Sequence, residues 1–243
     1  MNEIGDFWDA RADEDAFYFV DNRLEYRNPD VVRFWADGPR LLDRILGELG
    51  VRIERGDEVV EIGCGIGRMT RALAARGASV RALDVSERML ALAREHNPRL
   101  SGVEWILGDG SSLRPIADAG ADACFSHVVF QHIPDPEITL GYVREMGRVL
   151  RPGGWSAFQV SDLPELHRRP RIEQRVFGWL RSRIGRAPHG QGHPAWRGSA
   201  IDLGRLEAVA SQAGLEVERV SGKGTQFCLV LLRAPAQRPS AAS

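Results

Sequence analysis

The sequence predicts one α/β domain built around a parallel sheet, and three observations support this class. The first is a strand, a glycine turn and a helix start in succession at 58–70, Glu-Val-Val-Glu-Ile-Gly-Cys-Gly-Ile-Gly-Arg-Met-Thr. The second is the alternation of short apolar segments with helical patterns along the chain. The third is composition, because 243 residues with 43% hydrophobic and 27% charged side chains suffice for a buried core.

The glycine turn contains Gly63, Gly65 and Gly67. Glycine lets the backbone turn sharply and leaves room for a ligand, and the free N–H groups of the following helix favour polar or anionic ligand groups. The dinucleotide fingerprint G-x-G-x-x-G requires glycine where this chain has Arg68. An NAD dehydrogenase is therefore only a distant alternative, and a glycine turn without a ligand is another.

Helix and strand boundaries follow from hydrophobic periodicity and from start and stop signals such as Ser86, Gly50 and Gly77. The predicted strands occupy 59–62, 79–83, 103–107, 121–126, 155–160, 215–220 and 226–232. The predicted helices occupy 41–49, 68–76, 87–95, 136–150, 175–184 and 202–213.

The pattern E-x-G-x-G-x-G, from Glu61 to Gly67, resembles the first motif of class I S-adenosylmethionine (SAM) methyltransferases. The segment His132-Ile133-Pro134-Asp135 and the Leu-Arg-Pro-Gly-Gly turn at 150–154 are similar to later motifs of this family. The resemblance covers 55–160 by motif and 200–233 by pattern alone. It implies a Rossmann-like three-layer sandwich with a seven-stranded, mostly parallel sheet and an antiparallel last strand.

Acidic residues end the first three predicted strands, namely Glu61, Asp84 and Asp109. Because the carboxyl ends of parallel strands share one edge, which binds ligands in open α/β sheets, these carboxylates are expected to converge there. Asp84 also fits an N-cap, although Ser86 is better placed for that role. Asp109 also fits an Asp-Gly turn.

The resemblance implies a role for each residue of the SAM site. Asp84 would accept hydrogen bonds from the ribose hydroxyls, Asp109 would bind the adenine amine, and the Gly110 N–H would contact ring nitrogen N1. Met89 would lie over the adenine, although a plain core methionine is an open alternative. The remaining implied cofactor-binding residues are Glu61, Gly63, Gly65, Val85, Ser126, Trp8 and Arg11.

Residues 1–50 are predicted to form an N-terminal helical segment rich in aromatic side chains. Nine acidic residues against three arginines give residues 1–30 a charge of −6. The segment is either a helix pair packed on the main domain 51–233 or a lid over the ligand. Phe7-Trp8-Asp9 is similar to a family segment that closes on SAM. In that comparison Trp8 would face the sulfonium, and Arg11 would pair with the methionyl carboxylate.

His132 is the first candidate catalytic base and His127 the second, because both follow strand four, where the methyl group is expected. The alternative for His132 is a structural histidine at a helix start. The motifs Asn-Pro-Pro-Tyr and Asp-Pro-Pro-Tyr, which mark methylation of amides and adenine, are absent after strand four. No DNA partner is therefore expected, whereas charge alone leaves RNA open.

Residues 163–199 are predicted to be a substrate-cap insert after strand five. Eight arginines and two glutamates give this stretch a charge of +6. Three explanations remain open, namely a solvated basic face, a surface that pairs with the acidic N-terminal segment, and a pocket for an anionic substrate. Arg168, Arg169, Arg171 and Arg175 are the candidate anion-binding residues.

The composition and the sequence patterns disfavour several classes of protein, namely nucleic-acid-binding, membrane, secreted and zinc proteins. The net charge of −1 gives no general attraction to nucleic acid or membranes. No apolar run reaches the roughly 20 residues of a membrane span, and no signal-peptide pattern is present. The three separated cysteines indicate reduced thiols in a cytoplasmic protein, without a zinc site. Residues 234–243 are expected to be a disordered tail.

Together these features predict a SAM-dependent methyltransferase that acts on an oxygen or nitrogen atom of a small metabolite, for example a natural-product or sugar-linked intermediate. The small-molecule substrate could be anionic, no metal is expected, and the protein is expected to be a monomer or homodimer. One alternative is methylation of a peptide or lipid-linked acceptor, including carboxylate O-methylation. Another is a non-catalytic SAM-binding regulatory protein.

Overall fold

The computed structural model describes residues 3–168, 188–190 and 192–236. The helix predicted at 175–184 lies outside the described residues, as do most of the predicted tail and three of the four candidate anion-binding arginines, Arg169, Arg171 and Arg175.

Helices and strands alternate through the main domain, as the sequence predicts. The helices are α1 (Glu3–Val20), α2 (Val31–Leu49), α3 (Arg68–Ala74), α4 (Glu87–His96), α5 (Pro136–Val149), α6 (Pro194–Arg197) and α7 (Leu203–Gln212). The strands are β1 (Glu58–Ile62), β2 (Ser79–Asp84), β3 (Val103–Leu107), β4 (Ala121–Ser126), β5 (Leu150–Val160), β6 (Glu216–Ser221) and β7 (Cys228–Arg233). Two 3₁₀ turns cover Phe130–His132 and Pro164–His167.

The strands form a seven-stranded sheet in the order β3-β2-β1-β4-β5-β7-β6. β1 pairs in parallel with β2 and β4, and the parallel ladder extends to β3 and β5. Only β7 runs antiparallel to its neighbours β5 and β6. The predicted fold class, a mostly parallel sheet with an antiparallel last strand, is confirmed.

Both faces of the sheet are covered, which explains the continuous apolar character of β1. Val59 packs into the layer that contains α2 and α3, whereas Val60 and Ile62 pack into the layer with α5 and α7. Successive side chains of a strand point to opposite faces, so an apolar run without alternation is expected for a strand buried on both sides.

Local capping fixes where the helices begin. Asp30 accepts a hydrogen bond from the backbone N–H of Arg33 at the start of α2, and Ser86 accepts one from Met89 at the start of α4. At the end of α2, Gly50 has a left-handed backbone with φ +74°, a conformation that favours glycine. The N-cap predicted at Ser86 and the stop predicted at Gly50 are confirmed.

Two elements differ from their predictions. β5 begins at Leu150, before the predicted turn, because Leu150 pairs with Ala121 of β4 and the ladder continues past an irregularity. The N-terminal helix is interrupted at Asp15, whose φ of −172° and ψ of 82° are extended. The Asp15 carboxylate accepts a hydrogen bond from the Tyr18 N–H, so it caps the second half of α1.

Within the described ranges, no helix is long and apolar enough to cross a membrane. Cys64, Cys124 and Cys228 are all free and buried, in agreement with the predicted reduced thiols. The same ranges contain no cluster of three or more His, Cys, Asp or Glu side chains arranged for a metal ion.

Candidate active site

Two adjoining cavities lie at the carboxyl edge of the sheet. The inner cavity encloses about 1130 Å³, part of it open to solvent, and its lining includes Trp8, Glu61, Gly65, Asp84 and Met89. The outer basin is wider, at about 2310 Å³ by the same measure, and its lining includes Arg23, Arg44, Leu166, Trp196 and Phe227. Six residues line both and form a shared wall, namely Phe19, Val20, Arg68, His127, Val128 and His132.

The glycine turn forms one side of the inner cavity and has no space for side chains. Gly63 and Gly65 have φ values of +73° and +53°, where residues other than glycine are strained. A Cβ atom on Gly63 would lie 2.3 Å from Cγ2 of Val129, and one on Gly65 would lie 3.0 Å from Cγ2 of Val20. The turn therefore keeps the backbone close to whatever occupies the cavity.

Asp84 stands at the end of β2, and backbone groups fix its carboxylate. One oxygen accepts from the Gly65 N–H at 2.8 Å and the other from the Ser86 N–H at 2.9 Å. Burial raises the pKa of Asp84, and these N–H donors offset part of that effect. Each carboxylate oxygen retains a second lone pair, so the fixed group can accept further hydrogen bonds from a ligand in the cavity.

Glu61 is the last residue but one of β1 and is almost completely buried. Thr70 Oγ1 donates a hydrogen bond to its carboxylate at 2.6 Å. Burial raises the pKa of Glu61 to about 7, and the charge of Asp84 contributes in the same direction. A cationic ligand group beside Glu61 would favour its charged form, because an opposite charge offsets the cost of burial. The two carboxyl groups thus give this end of the cavity an affinity for polar and cationic groups.

Asp109 is exposed and caps the turn after β3. Its oxygens accept hydrogen bonds from the backbone N–H and hydroxyl groups of Ser111 and Ser112. The neighbours Gly108 and Gly110 line the inner cavity, whereas Asp109 is not among its lining residues. The Asp-Gly turn alternative therefore describes the geometry, and the predicted contact of Asp109 with adenine stays a prediction.

The segment after β4 forms the wall between the two cavities. Val128 has φ +59°, a left-handed conformation that costs a β-branched residue on the order of 1–3 kcal/mol. His127 forms no hydrogen bond with any described side chain or backbone group. Burial, followed by the positive charges of Arg68 and Arg44, lowers the pKa of His127 to about 3. The imidazole is therefore neutral at physiological pH.

His132 is held by hydrogen bonds on both ring nitrogens. Its Nδ1 lies 2.9 Å from the carbonyl oxygen of Trp196, so Nδ1 carries the proton and donates. Its Nε2 lies 3.3 Å from the Gln131 amide nitrogen, and the Gln131 carbonyl accepts from Gln159 at 2.5 Å. Burial lowers the pKa of His132 to about 4. This network fixes the orientation and tautomer of the ring.

Helix α1, the predicted lid, lines one side of the inner cavity. Trp8 lies edge-on to the ring of His132, with 5.5 Å between centroids. Asp9 accepts hydrogen bonds from the Ser86 hydroxyl at 2.6 Å and from the Arg88 N–H at 3.0 Å, which fastens α1 to the start of α4. These contacts show that the segment packs on the main domain, and the prediction that it closes over a bound ligand stays a prediction.

A buried ion pair anchors the end of the lid to the glycine turn. Arg68 Nη1 lies 2.5 Å from Asp21 Oδ2, and the two side chains are 4% and 6% exposed. Burial raises the pKa of Asp21, but hydrogen bonds from Arg23 and the charge of Arg68 outweigh it and lower the pKa to about 2. Breaking one partner of such a pair leaves an uncompensated buried charge.

Comparisons with known proteins agree with this geometry. Residues 60–158 match the profile of a methyltransferase domain. The chain is 36% identical over 136 residues to a malonyl-[acyl-carrier protein] O-methyltransferase of Serratia marcescens, covering 54% of this chain and 51% of the relative. It is 33% identical over 102 residues to a demethylmenaquinone methyltransferase of Tropheryma whipplei, covering 42% and 41%. The chain spans about half or less of the length of these curated relatives.

Solved structures show the same fold. Magnesium protoporphyrin IX methyltransferase from Synechocystis, solved with bound S-adenosylhomocysteine (SAH), has a TM-score of 0.60 at 16% identity over 95% of this chain and 97% of its own. A SAM-dependent methyltransferase from Mesorhizobium loti has a TM-score of 0.58 at 22% identity, covering 78% and 96%. At these identities the likeness concerns the fold alone.

Residues 60–158 match a methyltransferase domain, and the fold is that of SAM-dependent methyltransferases. The inner cavity fits SAM on three observations. The glycine turn leaves no room for side chains, Asp84 offers a fixed pair of acceptors, and Glu61 offers a carboxyl group suited to a cation. Most of the predicted cofactor-binding residues line this cavity, namely Trp8, Glu61, Gly63, Gly65, Asp84, Val85, Met89 and Gly110.

Two further predicted cofactor-binding residues of the methyltransferase domain lie elsewhere. Ser126 is buried and donates a hydrogen bond from Oγ to the carbonyl of Ile62 at 2.9 Å, which joins β4 to β1. Arg11 lies 3.1 Å from Glu14 and stacks against the rings of Phe7 and Phe19. Neither lines the inner cavity, and their predicted contacts with SAM stay predictions.

Some residues of the domain's site were not identified from the sequence. Phe19, Val20, Val128 and Arg68 belong to the shared wall. Aromatic enrichment of the first 36 residues was the only available signal for Phe19. No local pattern marks the left-handed backbone of Val128, because this conformation is imposed by the packing around it.

Proposed function

We propose that this protein transfers the methyl group of SAM to an oxygen or nitrogen atom of a small metabolite bound in the outer basin. The observation that carries the proposal is the shared wall. The inner cavity has the features that fit SAM, and the outer basin adjoins it across His127, Val128 and His132. A donor and an acceptor in adjoining sites can meet in line at this wall, which is the geometry that methyl transfer requires.

When bound, SAM supplies an electrophilic methyl group whose leaving group is a neutral thioether. The protein therefore needs no general acid, and its own residues would align the acceptor and exclude water. Trp8 and Phe19 from α1 cover the wall region with aromatic surface. The rigid loop at Val128 would fix the position at which the two ligands meet.

A hydroxyl or ammonium acceptor must also lose a proton, and His127 and His132 are the candidate bases. The hydrogen bonds of His132 to Trp196 and Gln131 support a positioning role for that ring. His127, without a hydrogen-bond partner in the described part of the chain, has both nitrogens available for an acceptor. Because its nitrogens are available, we place His127 ahead of His132 as the base, the reverse of the order given by sequence. With a pKa of about 3, His127 would act as a base only when an anion beside it raises that pKa toward neutral pH.

A carrier-linked carboxylate is a second candidate acceptor. It is supported by the similarity to malonyl-[acyl-carrier protein] O-methyltransferases and by two exposed apolar side chains at the outer basin, Leu166 and Phe227. A carboxylate acceptor needs no base, so its methylation would not depend on His127.

Two measurements test the proposed function. Calorimetry with SAM and SAH on the purified protein should show binding of both. A screen of hydroxyl, amine and carboxylate metabolites, free and carrier-linked, should then show acceptor-dependent release of SAH.

Turnover that falls strongly in His127→Gln while SAH affinity is retained would support the base assignment, and unchanged turnover would remove it. Binding of SAM without turnover on any acceptor would instead favour the non-catalytic regulatory alternative. Binding of NAD but not SAM would refute the proposed function.

A further inference from the structure

The outer basin carries an excess of positive charge. Five arginines line it, Arg23, Arg44, Arg68, Arg168 and Arg197, against two carboxylates, Asp21 and Glu48. These arginines come from the end of the lid, α2, the glycine turn and the segments on either side of the undescribed stretch 169–187. Positive groups contributed by separate elements to one concave surface concentrate their field there.

Both carboxylates of the basin already have partners. Asp21 accepts from Arg23 at 2.6 and 2.7 Å and from Arg68 at 2.5 Å. Glu48 accepts a hydrogen bond from the hydroxyl of Ser221. Neither acid neutralises Arg44.

Two arginines of the basin, Arg197 and Arg44, have no carboxylate partner in the described part of the chain. Arg197 is half-buried and donates a hydrogen bond to the His167 carbonyl at 3.4 Å, so Arg44 is the exposed arginine of the two. Among residues 3–168, 188–190 and 192–236, no carboxylate oxygen lies within 4 Å of its guanidinium. Arg40, one turn earlier on α2, lies outside the basin and pairs with Asp37 at 3.7 Å. Arg40 and Arg44 are both exposed on α2 but differ in what they face, which makes Arg40 a matched control.

Arg44 and His127 both face the outer basin. Both line the basin, and the charge of Arg44 is close enough to help lower the pKa of His127. The other charged groups that act on this imidazole are Arg68, Arg23 and Asp21. An anion held between Arg44 and the wall would therefore lie near the imidazole of His127 and would change its environment measurably.

We propose that Arg44, backed by the positive charge of Arg23 and Arg68, binds an oxyanion of the acceptor, a carboxylate or a phosphate, and so selects anionic small molecules. The inference rests on the proposed function, because it names the substrate class of the same basin. The anionic group anchors one end of the acceptor on Arg44, and the atom to be methylated lies at the wall beside His127. A guanidinium binds such oxyanions through charge-assisted, often bidentate hydrogen bonds.

The test follows the imidazole signal of His127 by NMR in SAH-loaded protein, with His127→Gln used to assign the signal. Benzoate and phenylphosphonate are the anionic probes, and benzamide is the neutral control of the same shape. The proteins are the wild type, Arg44→Gln and the control Arg40→Gln. Both arginines are exposed on α2, so neither substitution removes a core contact.

The proposal predicts that at least one anion shifts the His127 signal saturably in the wild type and in Arg40→Gln, whereas benzamide does not. Arg44→Gln should weaken the anion affinity roughly ten- to hundredfold, the effect of losing a charge-assisted hydrogen bond. A preference for benzoate identifies a carboxylate, and a preference for phenylphosphonate identifies a phosphate.

Three results would each overturn the inference: equal anion affinity in the wild type and Arg44→Gln, binding of benzamide as tight as that of the preferred anion, or absence of any anion-dependent shift. Calorimetry with SAH on the same three proteins separates the two claims. If the wild type does not bind SAH, the proposed function is refuted. If it binds SAH but its anion affinity does not depend on Arg44, only the anion site is refuted.

Discussion

Substitution of Gly63 by alanine tests the glycine turn most sharply. The φ of +73° costs an alanine about 1–2 kcal/mol. An added Cβ would also lie 2.3 Å from Cγ2 and 2.7 Å from Cγ1 of Val129, so the backbone or Val129 must move. Overpacking of this kind costs typically about 1–3 kcal/mol. We expect Gly63→Ala to lower the free energy of unfolding by about 2–5 kcal/mol and to weaken SAH binding, because both residues line the inner cavity.

A double-mutant cycle separates the two contributions to this cost. Val129→Ala removes both Cγ atoms and leaves the Cβ atom of residue 129, which lies 3.1 Å from the added Cβ. In the Val129→Ala background, Gly63→Ala should therefore cost only the backbone part, about 1–2 kcal/mol. Urea unfolding followed by circular dichroism measures all four proteins.

Gly47→Ala is the control for this cycle. Gly47 lies inside α2 with no other atom within 4 Å of an added Cβ, so we expect no loss and a gain of up to about 1 kcal/mol. Equal costs of Gly63→Ala in both backgrounds would refute the steric argument. A negligible cost in both would refute the assigned turn geometry as a whole.

Three other changes probe the surroundings of the cavity. Asp21→Asn breaks the buried pair with Arg68 and should cost about 3 kcal/mol or more. The fold lowers the pKa of Asp21 to about 2, so its stabilising contribution should be complete above roughly pH 4 and be lost as the pH falls through about 2. Urea unfolding at a series of pH values measures this loss. The pKa of His132 is about 4 in the folded state and about 6.5 in the unfolded state, so protonation of His132 lowers the free energy of unfolding as the pH falls from about 6.5 to 4. In His132→Gln, the free energy of unfolding should therefore depend less steeply on pH in this range. Ser126→Ala removes the bond to the Ile62 carbonyl and should cost about 1 kcal/mol with little change in SAH affinity by calorimetry; a large loss of affinity would restore Ser126 to the binding site.

The parts of the fold that the sequence predicted are those determined by local chemistry. The apolar run of β1, the glycine turn and the cap at Ser86 act over a few residues, so their signals are readable without tertiary information. The positions of Asp84 and Glu61 at one edge of the sheet were also predictable, and both residues line the inner cavity, whereas their contacts with SAM stay predictions. Parallel strands bring their carboxyl ends together whatever the details of packing.

Features that depend on contacts between distant segments were not predictable in this way. The ion pair of Asp21 with Arg68 joins residues 47 positions apart, and the outer basin includes Arg44 of α2, a helix without a motif that links it to the site. Asp109 can accept hydrogen bonds either from the serine residues that follow it or from a ligand. Turn propensity alone could not decide between these two roles. The sequence places the candidate anion-binding arginines in 163–199, whereas the arginine that we propose to bind the anion lies on α2.

The central claim is that the carboxylate of Asp84 holds the ribose of SAM in the inner cavity. Calorimetry with SAH and its 2′,3′-dideoxy analogue, on the wild type and on Asp84→Ala, tests this contact directly. The account predicts that the wild type binds SAH at least about tenfold more tightly than the analogue, because hydrogen bonds to a charged group are lost. It also predicts that Asp84→Ala binds the two alike. Equal affinity of the wild type for both ligands would contradict the account.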